Sequence, residues 1–170
     1  MPSFIHDVIT PGARITLQYG DVLASDISSE TFARVPEGML TNSPAFCFGH
    51  LAIYPDRVLK LLGREADAQP DARFDDLFAA GQECQDDVDG TLYPSKDEIM
   101  QRFRERHEAA LSVLHGMDDS VLLKPTPDER LVERFPTIGA AVTFLFGAHA
   151  MMHLGQVSTW RRAMGLGSAF

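Results

Sequence analysis

Two histidines four residues apart, His149 and His153, lie in the longest apolar run of the chain, Thr137 to Gly165 (TIGAAVTFLFGAHAMMHLGQVSTWRRAMG). On a helix, residues i and i+4 share a face, with Cβ atoms about 5–6 Å apart. Two imidazoles at that distance can reach one cation at the ~2.0–2.1 Å that a zinc–nitrogen bond requires. A buried imidazole needs partners for its ring nitrogens, so two on one apolar stripe point to a shared ion. The competing reading is a pair of core histidines, each satisfied by a backbone carbonyl. A metalloprotease helix is excluded, because Ala150 stands where H-E-x-x-H needs its Glu. A ferritin-like di-iron site is excluded as well. It needs Glu-x-x-His pairs, and the residues three before the six histidines are Ser3, Cys47, Arg104, Ser112, Phe146 and Ala150.

Further ligands must come from other segments. His50 sits in a strongly apolar stretch, PAFCFGHLAIY, and Cys47 precedes it by three residues on the same side. His107 is a rival, although Arg102, Arg104, Glu105, Arg106 and Glu108 surround it and predict a stripe edge near water. Gln156 follows His153 by nearly one turn and is placed to donate a hydrogen bond behind the ligands. Asp56, Glu98 and the loop acids are the candidates for a general base, and nothing in the sequence ranks them. His6 and His115 fall at segment ends and read as surface residues. No Ser-His-Asp set, phosphate loop or dinucleotide fingerprint is present.

Four amphipathic segments must carry these residues. Thr10-Pro11 predicts a first helix over about Gly12 to Ser28, with Ile15, Tyr19, Val22, Leu23 and Ile27 buried. Ser43-Pro44 opens a second that stops at Gly63, with Pro55 expected to kink it one turn beyond His50. Ser95-Lys96-Asp97-Glu98 is a capping box, and a third helix follows to Leu114 or His115, with Ile99, Phe103, His107, Ala110, Leu111 and Leu114 on one face. Thr137 caps the fourth, and Gly165 ends it. Ile138, Val142, Leu145, His149, Met152, His153, Gln156 and Trp160 form its expected interior stripe, and Arg161 and Arg162 complement the dipole in its last turn. Two long connections, 64–94 and 117–136, separate these helices. The first carries nine acids and two arginines, with a short helix over Arg73–Ala80; it reads as a pocket wall or as a solvated acidic surface. The fold class expected is all-α: a four-helix bundle with two long crossover loops, as a single domain over 1–170.

The bulk properties narrow the function. The chain has 170 residues, 45% apolar, with 24 acids against 15 Lys and Arg, for a net charge of −9. That disfavours a nucleic-acid or anionic-membrane partner. The uncharged run Ile138–Trp160 is long enough to span a bilayer. Its two His, Gln, two Thr, Ser and three Gly argue for a buried bundle helix. The first residues show no basic, apolar leader pattern, and Cys47 and Cys84 form no C-x-x-C, so a reduced, cytoplasmic setting is expected.

The order and spacing of these pieces resemble the DinB-like family of four-helix bundles, which includes thiol transferases related to bacillithiol transferase and mycothiol-dependent maleylpyruvate isomerase. The matching residues are Gly49-His50-Leu51, Tyr93-Pro94-Ser95, and His149-x-x-x-His153-x-Gly155-Gln156 with Arg161-Arg162 and Gly165. Cys47 and the acidic segment 64–94 have no counterpart in that pattern. The resemblance implies a metal triad of His50, His149 and His153. It also implies one divalent cation, zinc or nickel, and a homodimer. Three imidazoles leave a coordination position open, as catalytic rather than structural zinc sites do. The expected function is a metal-dependent enzyme that activates a low-molecular-weight thiol or water against a small electrophile. The alternatives are a non-catalytic metal-binding or stress-response module, and a structural bundle with vestigial histidines.

Overall fold

A computed structural model of the chain describes residues 3–169. Among them there is no strand, and the sole sheet-like feature is an antiparallel bridge between Pro125 and Thr137. The all-α expectation therefore holds. Four long rods supply most of the core. They are α1 (Thr10–Ala24), α2 (Pro44–Leu61), α4 (Lys96–His115) and a continuous last rod made of α6 (Ile138–Thr143), a π turn (Phe144–His149) and α7 (Ala150–Ala163). Each rod packs against two others, so that α1, α4, α2 and α7 close into a ring. Two short helices occupy the connections, α3 (Ala72–Phe78) and α5 (Glu129–Val132). The last rod, Ile138–Ala163, is long and apolar enough to cross a membrane by length and composition alone. Its inner face packs on α1 and α2.

Three of the four rods begin where their caps predict. Ser43 Oγ accepts from the Phe46 N–H at 3.3 Å, Ser95 Oγ from the Glu98 N–H at 3.2 Å, and Thr137 Oγ1 from the Ala140 N–H at 3.2 Å. Each bond satisfies a donor that the first helical turn leaves free. The capping box is only half formed, because the Glu98 carboxylate lies 3.0 Å from Arg73 instead of reaching back. The chain leaves α2 through Gly63, at φ +71°, and α2 runs unbroken through Pro55.

The first rod corrects the sequence reading. Thr10 caps nothing: a π turn over Ile5–Ile9 runs straight into α1. The Thr10 N–H bonds the Ile5 carbonyl across that widened turn, just ahead of Pro11, which has no N–H to offer. The buried face is also only partly the one expected: Leu23 and, just past the helix, Ile27 are buried, but Ile15 and Val22 are not. Ala13, Leu17, Gly20, Leu23 and Ala24 turn inward, while Ile15 (62% exposed) and Val22 face out and Tyr19 is half-buried. α1 carries apolar residues on two faces, and size decides between them. A Cβ on Gly20 would stand 3.1 Å from the Phe103 ring and 3.3 Å from that of Phe48, so the face bearing small residues is the one that lets rods approach.

The last rod carries a second correction. Met152 is 55% exposed and Leu145 is half-buried, whereas Phe146, Ala150 and Leu154 are buried. The π turn at Phe144–His149 inserts about one residue into the helical repeat. Within that turn Phe146 takes the inward place expected of Leu145; beyond it His153 and Trp160 are buried as expected, and Met152 is turned out. At the far end, Arg161 is buried rather than solvated. Its guanidinium bonds the Leu23 carbonyl at 2.8 Å and grips the Asp26 carboxylate with both terminal nitrogens. Trp160 Nε1–H donates to the Arg34 carbonyl at 2.7 Å. These bonds tie the last rod to the segment that leaves α1.

His107 is another departure, because it is buried in the core at 3% exposure instead of lying near water. Its Nδ1–H donates to the Phe103 carbonyl at 2.7 Å, and its ring packs on Phe103 and Phe146. Burial depresses its pKa to about 4, against the opposing pull of the Phe103 carbonyl. The unfolded chain then binds a proton at His107 below about pH 6.5 that the folded chain refuses until about pH 4. The stability this group contributes is complete above pH 6.5 and is lost as pH falls through that window. Urea unfolding in the presence of chelator, from pH 4.5 to 7.5, measures the effect. His107→Leu should remove about one proton from the acid limb, flattening it by about 1.4 kcal/mol per pH unit. An unchanged slope would contradict a buried neutral imidazole.

Candidate metal centre

His50 reaches the interior from α2, and His149 and His153 from the last rod, so two elements supply three rings. All three are buried, at 7, 6 and 8% exposure. One ligand nitrogen from each lies within 4.8 Å of the others. His50 Nε2 and His149 Nε2 are 3.3 Å apart. Two nitrogens bound to one ion at ~2.0–2.1 Å with tetrahedral angles stand about 3.3–3.4 Å apart, so this spacing fits a shared cation.

The atoms behind the rings decide which nitrogens face inward. A carbonyl oxygen only accepts. His50 Nδ1 therefore carries its hydrogen toward the Phe78 carbonyl, 2.6 Å away. His153 Nδ1 does the same toward Gln156 Oε1 at 3.1 Å. Both Nε2 lone pairs are thus left for the interior. His149 has no such support: its Nδ1 is buried without a partner. Either tautomer leaves that Nδ1 unpaired, as a donor when Nε2 turns its lone pair to the cluster and as an acceptor when Nε2 donates to His50, at a cost of roughly 1–3 kcal/mol. Convergence of three lone pairs on a cation accounts for the Nε2 spacing, and the donor set fits a divalent ion that accepts imidazole ligands.

Electrostatics agree with that fit. Burial is the main cause that pushes His50 down to about 4, assisted by His153 and Arg57 and opposed by the Phe78 carbonyl. Burial, then His153, His50 and Arg57, push His149 down to about 3. Burial lowers His153 too, against the Gln156 bond. The rings are neutral at neutral pH, the state in which imidazole binds a metal.

Gln156 has a different role from the donor expected. Its Oε1 accepts from His153 Nδ1, from Asn42 Nδ2 at 3.1 Å and from Cys47 Sγ at 3.4 Å. Cys47 does not join the cluster as a ligand: burial drives its thiol far above the ordinary range and keeps it protonated. His107 is engaged by the Phe103 carbonyl and is likewise outside the cluster. Neither acid named as a possible base is free for that work. Asp56 is buried against Arg106 at 2.6 Å, and Glu98 pairs with Arg73. His6 and His115 are exposed, their rings edge to face at 4.1 Å.

Three contributors were not anticipated from the sequence. The first is Phe78, the last residue of α3, whose carbonyl orients His50. The acidic connection thus provides a buttress for the site as well as a surface. Gly49 permits it, since a Cβ there would come within 2.5 Å of the Phe78 ring; a glycine beside a candidate ligand was the available signal. The second is Tyr54, whose ring lies 4.8 Å from His50 and 4.3 Å from His149. Its i+4 spacing from His50 could have flagged it. The third is Asn42, for which no signal exists. A cavity of about 940 Å³ opens beside the cluster, with Tyr54, Phe144 and His149 in its lining and walls from α2, the second connection and the last rod.

An all-helical chain whose interior gathers three neutral imidazoles beside a cavity defines a helical protein with a candidate metal centre. Residues 16–157 match the model of the DinB superfamily, and the chain belongs to that superfamily. Neither a curated protein nor a solved structure matches the chain.

Gly49→Ala should force the Phe78 ring away. It should cost about 1–3 kcal/mol in urea unfolding, as overpacked cores do, and release the His50 Nδ1 proton from its carbonyl. That proton should then vanish from the downfield NMR spectrum. A protected resonance in a fully stable variant would refute the buttress.

Proposed function

We propose that the chain is a divalent-metal-dependent enzyme. His50, His149 and His153 would hold the ion, zinc or nickel, and the reaction would be thiol transfer to, or hydrolysis of, a small electrophilic molecule. The observation that carries this reading is the convergence of three buried imidazoles, with one nitrogen of each within 4.8 Å of the others and those of His50 and His149 3.3 Å apart, next to a cavity large enough for a small molecule. A bound divalent cation supplies an open coordination position and lowers the pKa of a water or thiol held there. The protein's own part is to fix two of the three tautomers and to keep every ring neutral. The Phe78 carbonyl sets His50, the Gln156 amide sets His153, and the apolar surroundings hold all three rings neutral. Tyr54 and Phe144 wall the cluster on the cavity side and limit water there. The cavity favours an enzyme over a metal store, which has no use for space beside its ligands.

The reading includes a cytoplasmic setting, no nucleic-acid or membrane partner, and a homodimer. Support for the last is an exposed apolar strip of Ile15 and Val22 on α1 with Met151 on α7. A shallow groove of about 390 Å³ crosses it.

Protein purified without chelator should contain about one zinc or nickel ion per chain by elemental analysis. Each of His50→Ala, His149→Ala and His153→Ala should abolish it. Gln156→Leu should weaken zinc affinity about 10–100-fold, the usual effect of removing an outer hydrogen bond from a ligating histidine. Metal-loaded protein should consume thiol or hydrolyse ester or amide within a broad substrate panel. Full metal occupancy without turnover would point to a non-catalytic metal-binding module, and unchanged stability on adding zinc would point to vestigial histidines. Light scattering should give twice the chain mass for the wild type and one chain mass for Ile15→Glu with Met151→Glu.

A further inference from the structure

The chain is acidic overall, and most of its arginines are paired. Arg14, Arg34, Arg64, Arg73, Arg102, Arg104, Arg106, Arg130 and Arg161 each lie within 4.0 Å of a carboxylate. Arg57, Lys60 and Arg134 form no ion pair among the described residues, and all three line the cavity beside His149. Arg57 and Lys60 are three residues apart on one face of α2, and Arg134 comes from the second connection, just after α5. The acids in the lining do not cancel them. Asp128 is held in a two-pronged pair by Arg130, at 3.0 and 2.7 Å, and Glu65 alone is left against three cations. The walls between these charges are apolar, with Leu61, Leu131, Phe135 and Leu145 among them, and low-polarity walls strengthen the field a bound anion feels.

Position along α2 adds a length. Arg57 and Lys60 lie seven and ten residues past His50, roughly 10 and 15 Å along the helix axis at ~1.5 Å per residue. Tyr54 bridges the two regions, with the Arg57 guanidinium 4.5 Å from its ring centroid and the rings of His50 and His149 on it as well.

We propose that the cavity selects a small organic molecule with an apolar body and a terminal oxyanion, carboxylate or phosphate. Arg57, Lys60 and Arg134 hold that anion several bonds away from the end that meets the histidine cluster. Arginine forks match both anions, and the lysine adds a point charge. The proposal rests on the cavity being the substrate site of the enzyme reading. It deepens that reading by giving the substrate a charge and a direction.

The test uses metal-free protein, so its result is independent of whether the histidines bind an ion. Hexanoate, butyl phosphate and neutral hexanamide are titrated at fixed ionic strength and followed by amide chemical shifts. Hexanoate or butyl phosphate should bind at least tenfold more tightly than hexanamide, and the tighter of the two identifies the anion. Arg57→Gln with Lys60→Gln and Arg134→Gln should abolish the preference. Arg134→Gln alone, in an exposed segment, should reduce it severalfold without touching α2. Equal binding of hexanamide, no binding of either anion, or a preference that survives the triple substitution would overturn the assignment. Zinc binding by the same samples reports separately on the metal reading.

Discussion

Three uncharged imidazoles in a protein interior, two of them with facing nitrogens 3.3 Å apart, are a costly arrangement for any fold to maintain. Everything around them is disposed to hold that arrangement in one tautomeric state. Gly49 thins α2 so that α3 can press its last carbonyl onto His50, and Gln156 collects Asn42, Cys47 and His153 on one oxygen. The connection with nine acids, 64–94, carries in its middle a contact the site depends on, the Phe78 carbonyl on His50. His149 is the exception. It has no supporting partner on its far nitrogen, so its orientation rests on ring packing against Tyr54 and Phe144.

Much of this was legible from residue types and spacing. Proline after serine, serine before a glutamate, and threonine after proline marked three rod entrances, because each supplies an acceptor or a preset φ where the backbone needs one. The i, i+4 histidine pair was readable for the same geometric reason. His50 could be singled out by its apolar neighbourhood, but its convergence with the pair is a tertiary fact, and only the family resemblance linked them beforehand.

What stayed hidden falls into two kinds. Periodicity assumes a constant repeat, and a π turn breaks it without any proline or glycine signature strong enough to announce itself; hence Met152 faced out and Phe146 in. On α1 the apolar residues are split between two faces, and hydrophobicity could not choose. The choice went to the face with Ala13, Gly20 and Ala24, whose merit is smallness. His107 misled for a related reason. Its charged neighbours belong to the outer side of α4 and to a buried pair between Arg106 and Asp56, and they say nothing about the ring between them.

The π turn in the last rod has a further consequence. Upstream of it, α6 is phased to the core at one end of the molecule; downstream, α7 is phased to the histidine cluster and to the Arg161 anchor. The two halves are joined by a seam one residue wide. Gain or loss of a single residue at that seam would rotate one half against the other by about 100°, a change no side-chain exchange can produce. An insertion or deletion of one residue there would therefore leave the core sound while parting it from the histidine cluster.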